Sequence, residues 1–276
     1  MSVDFTFSKD EFDKYLMELG KEFRRLNGKD ANAEIVLIGG ASVVINYDFR
    51  NMTTDADALI YTDAAMKDAI NRVRDAYNLP HGWLNEDFKN TDSYTEKLRS
   101  VSVYYRTFSN ILQIRTVAAE YLVAMKAMSG RQYKYDRSDI VGIIMEHEKR
   151  GKPIRREDVD KAALELYGAK PLPKDSMRLL DGLFEGNKDY SQIYRETRIR
   201  EDEAKKILLD VQSEQPGLLN NDNLDTIIAQ ARLKKGQGKN SMLTKLDNYK
   251  EKAKTQDAVV DIDTIKKSEN KRTPDR

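Results

Sequence analysis

Two short stretches of this chain carry side chains that could do chemistry together. The first is Gly39-Gly40-Ala41-Ser42, reached through the short β-branched run Glu34-Ile-Val-Leu-Ile38; the second is Asp55-Ala-Asp57, followed by Ala-Leu-Ile-Tyr61. Glycines let a backbone approach a phosphate group closely, and a serine hydroxyl with the N–H groups of a helix N-terminus can hold phosphate oxygens. Aspartates at i and i+2 of a strand project from one face, where they could grip divalent ions that bridge a phosphate and an attacking hydroxyl. The ordered set suits a nucleoside triphosphate. Each piece also has a plain reading, since a glycine pair can be only a turn and two aspartates only an exposed strand face. Like charges side by side nevertheless cost stability unless a cation offsets them.

The surrounding pattern predicts the elements that would position these residues. Phe12, Tyr15, Leu16, Leu19 and Phe23 recur at helical spacing, with Ser8 and Glu11 as a capping box. The β-branched run at 34–38 reads as a buried strand ending in the glycine turn, with a short helix through Ala41 to Asn46 and a second strand from Asp55 to Tyr61. Thr62 is expected to cap a helix reaching Tyr77. An irregular connection over 78–97, pinned by Trp83 and Phe88, should lead to a hairpin around 100–105 and 110–115. From Val117 onward strand signals fade. Helices are expected at 117–130, 137–149, 156–167, 174–185, 200–213, 222–234 and 240–254, with a break at Pro171 and Pro173.

Composition limits the classes of function. With 276 residues, 47 Lys+Arg against 46 Asp+Glu, no cysteine and two histidines, the chain can bury a core yet has no disulfide, thiolate nucleophile or cysteine zinc site. His81 and His147 form no His-x-x-x-His pair. Any metal must therefore be held by oxygen, which favours magnesium, manganese or calcium. No apolar run is long enough to span a bilayer and the first residues lack a signal-peptide layout, so a cytoplasmic location without membrane contact is expected. Residues 231–276 hold 13 Lys+Arg against 7 Asp+Glu, an excess that permits nucleic-acid contact or marks a solvated tail.

The glycine turn, spacer and Asp-x-Asp together resemble the nucleotidyltransferase-fold superfamily. The nearer likeness is to the AbiEii-like group, which includes toxins of toxin–antitoxin and abortive-infection systems. That group adds a lysine in a helix and a later Asp-x-x-Asp, matched here by Leu122-Val-Ala-Met125-Lys126-Ala-Met128 and by Asp136-Arg-Ser-Asp139. The likeness covers about residues 34 to 145.

The resemblance implies an α+β fold, with a small mixed β-sheet core at 1–116 and a helical region at 117–254 that completes the site and binds an acceptor; composition marks 255–276 as a disordered tail. The resemblance also implies that Gly39, Gly40 and Ser42 hold a triphosphate, that Asp55 and Asp57 bind Mg2+ or Mn2+, and that Lys126 contacts phosphate. Asp136 and Asp139 would complete the site or orient Lys126. The plain alternatives are a Lys126 that snorkels from a core helix, an Asp136 that caps and an Asp139 that serves a helix dipole. Arg50 could stabilise phosphate charge or be a surface loop residue, and Arg131 and Lys134 could attract an anionic acceptor. Where many superfamily members place a third carboxylate, this chain has Arg115, and Glu120 is the nearest acid. The implied activity is transfer of a nucleoside monophosphate from an NTP such as ATP to a hydroxyl acceptor, most naturally RNA and especially tRNA, with a cognate antitoxin as a possible partner. The competing implication is a degenerate binder of nucleotide or RNA.

Overall fold

Residues 35 to 38 are apolar without alternation because both faces of their strand are covered. The structure, a computed structural model, describes residues 5–62, 64–221 and 223–233. Strand β1 (Ala33–Leu37) sends Ile35 and Leu37 into one apolar cluster, while Val36 and the following Ile38 enter another on the opposite face. Its neighbours are β2 (Ala56–Tyr61), antiparallel, and β5 (Leu112–Val117), parallel. Beyond them lie β3 (Leu84–Asn85) and β4 (Ser102–Phe108), giving the order β3-β2-β1-β5-β4. The sheet is mixed and five-stranded, and the remainder of the described chain is mostly helical, as an α+β fold requires.

Helices α1 (Lys9–Asn27) and α3 (Met66–Tyr77) cover the first face through Phe12, Leu16, Leu19 and Phe23, and through Met66, Ala69 and Val73. The Ser8 hydroxyl accepts from Glu11 N and the Glu11 carboxylate accepts from Ser8 N, which closes the expected capping box. Trp83, 1% exposed, anchors the irregular connection to this core. The second face is closed by α4 (Ala119–Ser129), α5 (Asp136–Lys149), α6 (Arg156–Tyr167) and α7 (Lys174–Phe184). Every residue from Leu122 to Met128 is buried, Lys126 included, so α4 is a core helix and not an amphipathic one. Helix α2 (Gly39–Asn46) follows β1 directly, and α8 spans Tyr190–Glu214.

Three boundaries differ from the sequence pattern. Strand β2 starts at Ala56, so Asp55 stands one residue before it. Thr62 does not cap α3: its hydroxyl donates to Asn32 O and accepts from Ala64 N, each at 3.1 Å, which builds a turn and delays the helix to Met66. Helix α8 begins ten residues earlier than the 200–213 pattern suggests, because Tyr190, Ile193 and Tyr194 pack against the second cluster. The helix expected at 222–234 occupies 224–233. The helix expected at 240–254 and the tail at 255–276 lie outside the described residues.

The chain divides into two units, residues 1–205 with the sheet and α1 to α7, and residues 206–276. Among the described residues no helix is long and apolar enough to cross a membrane.

Candidate active site

The buried end of β1 runs straight into α2, and Ile38 N donates to Asp57 O at 2.8 Å, so the glycine turn and the start of β2 are side by side. Gly39 has φ +57°, and a Cβ built on it would stand 3.4 Å from Asp57 Oδ2. The turn therefore uses glycine for its left-handed backbone and for the room it leaves beside the carboxylate. Helix α2 has no side-chain cap, so its first N–H groups are left for another acceptor. Ser42, in the first turn, is fully buried and its hydroxyl has no hydrogen-bond partner.

Asp57 is half-buried and Asp55 is exposed. Burial, then the charge of Asp55, raise the proton affinity of Asp57; Lys134, Arg131 and Lys126 act in the opposite sense. Five residues from three parts of the chain thus share one electrostatic neighbourhood. The Asp55 carboxylate accepts from Thr54 Oγ1 at 3.3 Å.

Behind the acidic pair lies a chain of ion pairs. Lys126, 7% exposed, reaches Asp136 Oδ1 at 2.9 Å and Asp139 Oδ2 at 2.8 Å. Arg131 Nε donates to Asp136 Oδ2 at 2.8 Å, and Arg50 Nη1 donates to Asp139 Oδ2 at 2.6 Å. Burial alone would lower the Lys126 pKa, but Asp136 and Asp139 outweigh it and raise it. Asp136 is likewise held well below the usual carboxylate range, because Lys126 and Arg131 overcome the burial that would raise it. Arg50 closes the circuit back to the turn: a Cβ on Gly40 would lie 2.9 Å from Arg50 Nη2 and 2.7 Å from Thr53 Oγ1. The set contains three cations and two carboxylates, a net positive wall beside Asp55 and Asp57.

Local sequence accounts for these positions. Lys126 sits in the last turn of α4 and Gly130, in the left-handed region, ends that helix. Asp136 and Asp139 occupy the first turn of α5, where the helix dipole favours acids. Gly142 lets the Phe49 ring rest against α5, since a Cβ there would overlap that ring, and this brings neighbouring Arg50 to Asp139.

Strand β5 contributes no acid. Arg115 is engaged by Ser102, with Nε donating to the hydroxyl at 2.7 Å, and Thr116 is buried with an unpaired hydroxyl. Among the described residues no cluster of three His, Cys, Asp or Glu could hold a metal. The two carboxylates fit a hard divalent ion that keeps several positions for water and phosphate oxygens, such as Mg2+ or Mn2+; they do not fit a closed structural metal site.

Sequence reasoning missed four residues around this wall. The Tyr135 ring meets two guanidinium groups, Arg198 at 3.3 Å from its centroid and Arg50 at 5.5 Å. Tyr194 donates to Phe49 O at 3.0 Å, and the Glu201 carboxylate accepts from Arg137 N at 2.9 Å. Of those on α8, Glu201 falls in the helix expected at 200–213, while Tyr194 and Arg198 lie before it, and no local signal marks any of the three.

Residues 14–147 match the family described as "Nucleotidyltransferase of unknown function (DUF6036)". Over this stretch the chain is similar to nucleotidyltransferases. The match supports the nucleotidyltransferase superfamily and, in general terms, nucleotidyl transfer from a nucleoside triphosphate. It spans the sheet, the glycine turn, the acidic pair, Lys126, Asp136 and Asp139, and ends before α6. No curated protein and no solved structure matches the chain.

Proposed function

We propose that the protein is a metal-dependent nucleotidyltransferase that moves a nucleoside monophosphate from an NTP to a hydroxyl acceptor and releases pyrophosphate. The observation that carries this reading is the placement of Asp57 against Gly39, with the Arg50–Asp139–Lys126–Asp136–Arg131 network alongside. In this reading the free N–H groups of α2 and the guanidinium of Arg50 take the polyphosphate, with Arg131 and exposed Lys134 at the outer side. Two of the three N–H bonds of Lys126 go to aspartates, and the third remains for phosphate. Asp55 and Asp57 would hold a divalent ion, which when bound would stabilise charge on the transferring phosphoryl group and acidify the acceptor hydroxyl. The hydroxyl oxygen forms a bond to the α-phosphorus, the bond from that phosphorus to pyrophosphate breaks, and the acidic pair takes the proton.

The likeness to the AbiEii-like group extends the proposal to RNA, especially tRNA, as acceptor and to a growth-inhibiting toxin with a cognate antitoxin. Exposed Lys134 and half-exposed Arg131 support an anionic acceptor. Purified protein incubated with Mg2+, total RNA and NTPs labelled at either the α or the γ phosphate tests this. Label entering RNA from the α position alone supports it. Label in a protein or small-molecule fraction would move the acceptor to that class.

A second reading follows from the acid-free β5 strand: a regulator that binds nucleotide or RNA without turnover. Equilibrium NTP binding with no labelled product under Mg2+ or Mn2+ would favour it.

A further inference from the structure

Two buried carboxylate oxygens at the start of α5 lack a partner. One is Asp139 Oδ1, whose other oxygen holds Lys126 and Arg50; the other is Glu201 Oε2, from α8. Glu201 is 2% exposed, and its carboxylate accepts from Arg137 N at 2.9 Å and Ser138 N at 3.3 Å, two of the N–H groups that the first turn of α5 leaves open. Two buried acceptors without a hydrogen-bond partner are costly as they stand.

We propose that Glu201 is a positioning residue of the transfer site, sharing one proton with Asp139 across the N-terminus of α5. Glu201 Oε2–H donates to Asp139 Oδ1, which leaves Asp139 Oδ2 free to orient Lys126 and Arg50. The inference rests on the function proposed above, and Glu201 lies outside the stretch that matches the family.

The charges around Glu201 agree. Burial pushes its carboxyl up to about 7, helped by the charge of Asp139 and opposed by the Ser138 hydroxyl and the N–H groups of Arg137 and Ser138. Asp139 and Arg137 face it from α5, and Tyr194 senses the same set of Arg198, Asp139, Arg50 and Glu201. The cations nearest Asp139, Lys126 and Arg50, are directed to its other oxygen. Arg137 turns toward Asp175 of α7, and Asp202, next to Glu201 on α8, accepts from the Tyr135 hydroxyl. A buried carboxyl placed beside a second carboxylate holds its proton more tightly than an exposed one.

Because the folded value lies above the ordinary 4.5 of a glutamate, the stability this group confers is complete in acid and is lost as pH rises through about 7. Thermal melting of the full chain and of Glu201→Gln from pH 5.5 to 8 reads this without any assay of transfer. The variant keeps an oxygen for the N–H groups and an NH2 donor for Asp139, so its melting advantage over wild type should grow by several degrees toward pH 8. A constant difference overturns the shared proton. In the transfer assay Glu201→Ala should lose at least tenfold in kcat with little change in KM for NTP. Glu201→Gln should restore most of that loss and remove the alkaline decline of the wild-type profile near pH 7. Equal kcat in wild type and Glu201→Ala, or no rescue by Glu201→Gln, overturns the positioning role. Melting reads the proton whether or not transfer occurs, so absence of transfer in wild type counts against the proposed function, while the melting curves alone decide for or against the shared proton.

Discussion

Asp57 Oδ2 lies 3.4 Å from the point where a side chain on Gly39 would begin. At that distance a methyl group makes ordinary contact, so the obstacle to Gly39→Ala is the backbone, at φ +57°. A left-handed residue other than glycine costs roughly 1 kcal/mol or a little more. The variant should unfold about that much more easily in urea, and it should bind NTP more weakly because the methyl occupies space beside the carboxylate.

Gly40→Ala should behave differently. Its methyl would collide with Thr53 Oγ1 and Arg50 Nη2 at 2.7 and 2.9 Å, and the guanidinium is the softer of the two. Displaced Arg50 would leave Asp139 and the turn together. The expected result is a rise in KM for NTP of about tenfold or more, equivalent to roughly 1.4 kcal/mol, from a protein that still folds. Nucleotide titration beside a melting curve separates the two effects.

Lys126→Ala would leave Asp136 buried with only Arg131, and Asp139 with only Arg50. Removing one partner from a buried ion pair typically costs about 3–5 kcal/mol, so equilibrium unfolding should show a loss on that scale. Loss of transfer in this variant must be judged on its folded fraction.

Gly142→Ala tests how the Phe49 segment is seated. A methyl at 142 overlaps the Phe49 ring, and overpacking of this kind costs about 1–3 kcal/mol. Because Arg50 follows Phe49 directly, transfer should fall along with stability, and the double substitution Phe49→Leu with Gly142→Ala should recover part of both.

Acid sensitivity follows from Asp136. Its pKa is depressed in the folded protein despite burial, because Lys126 and Arg131 bind the charged form. A lowered value means that the stability is present above the ordinary aspartate pKa and is lost as pH falls below it. Melting of the wild type should therefore drop between about pH 4 and 2, and Asp136→Asn should be less stable at pH 7 with a shallower acid decline.

The sheet and the candidate site were legible to different degrees. The Glu34–Ile38 run and the Ser8–Glu11 box are local signals, and local chemistry decided them: one strand is covered on both faces and one helix is capped by its own residues. The convergence of Gly39, Asp55, Asp57, Lys126, Asp136 and Asp139 could be proposed only from their order, since spacing along the chain carries no distance. Thr62 misled because a hydroxyl that accepts from an N–H two residues on looks the same in sequence as a helix cap. Glu201 was invisible. It lies among charged residues, and only the packing of α8 makes it a buried acid.

The central claim concerns the acidic pair beside the glycine turn. It is tested most directly by single-turnover transfer from an α-labelled NTP in the presence of Mg2+ and total RNA, comparing wild type with Asp57→Asn. Burial and Asp55 make the Asp57 charge costly, so the variant should melt at or above the wild-type temperature. Labelled product and pyrophosphate from wild type, falling by at least a hundredfold in a well-folded Asp57→Asn, is the predicted result; equal rates from the two proteins would contradict it.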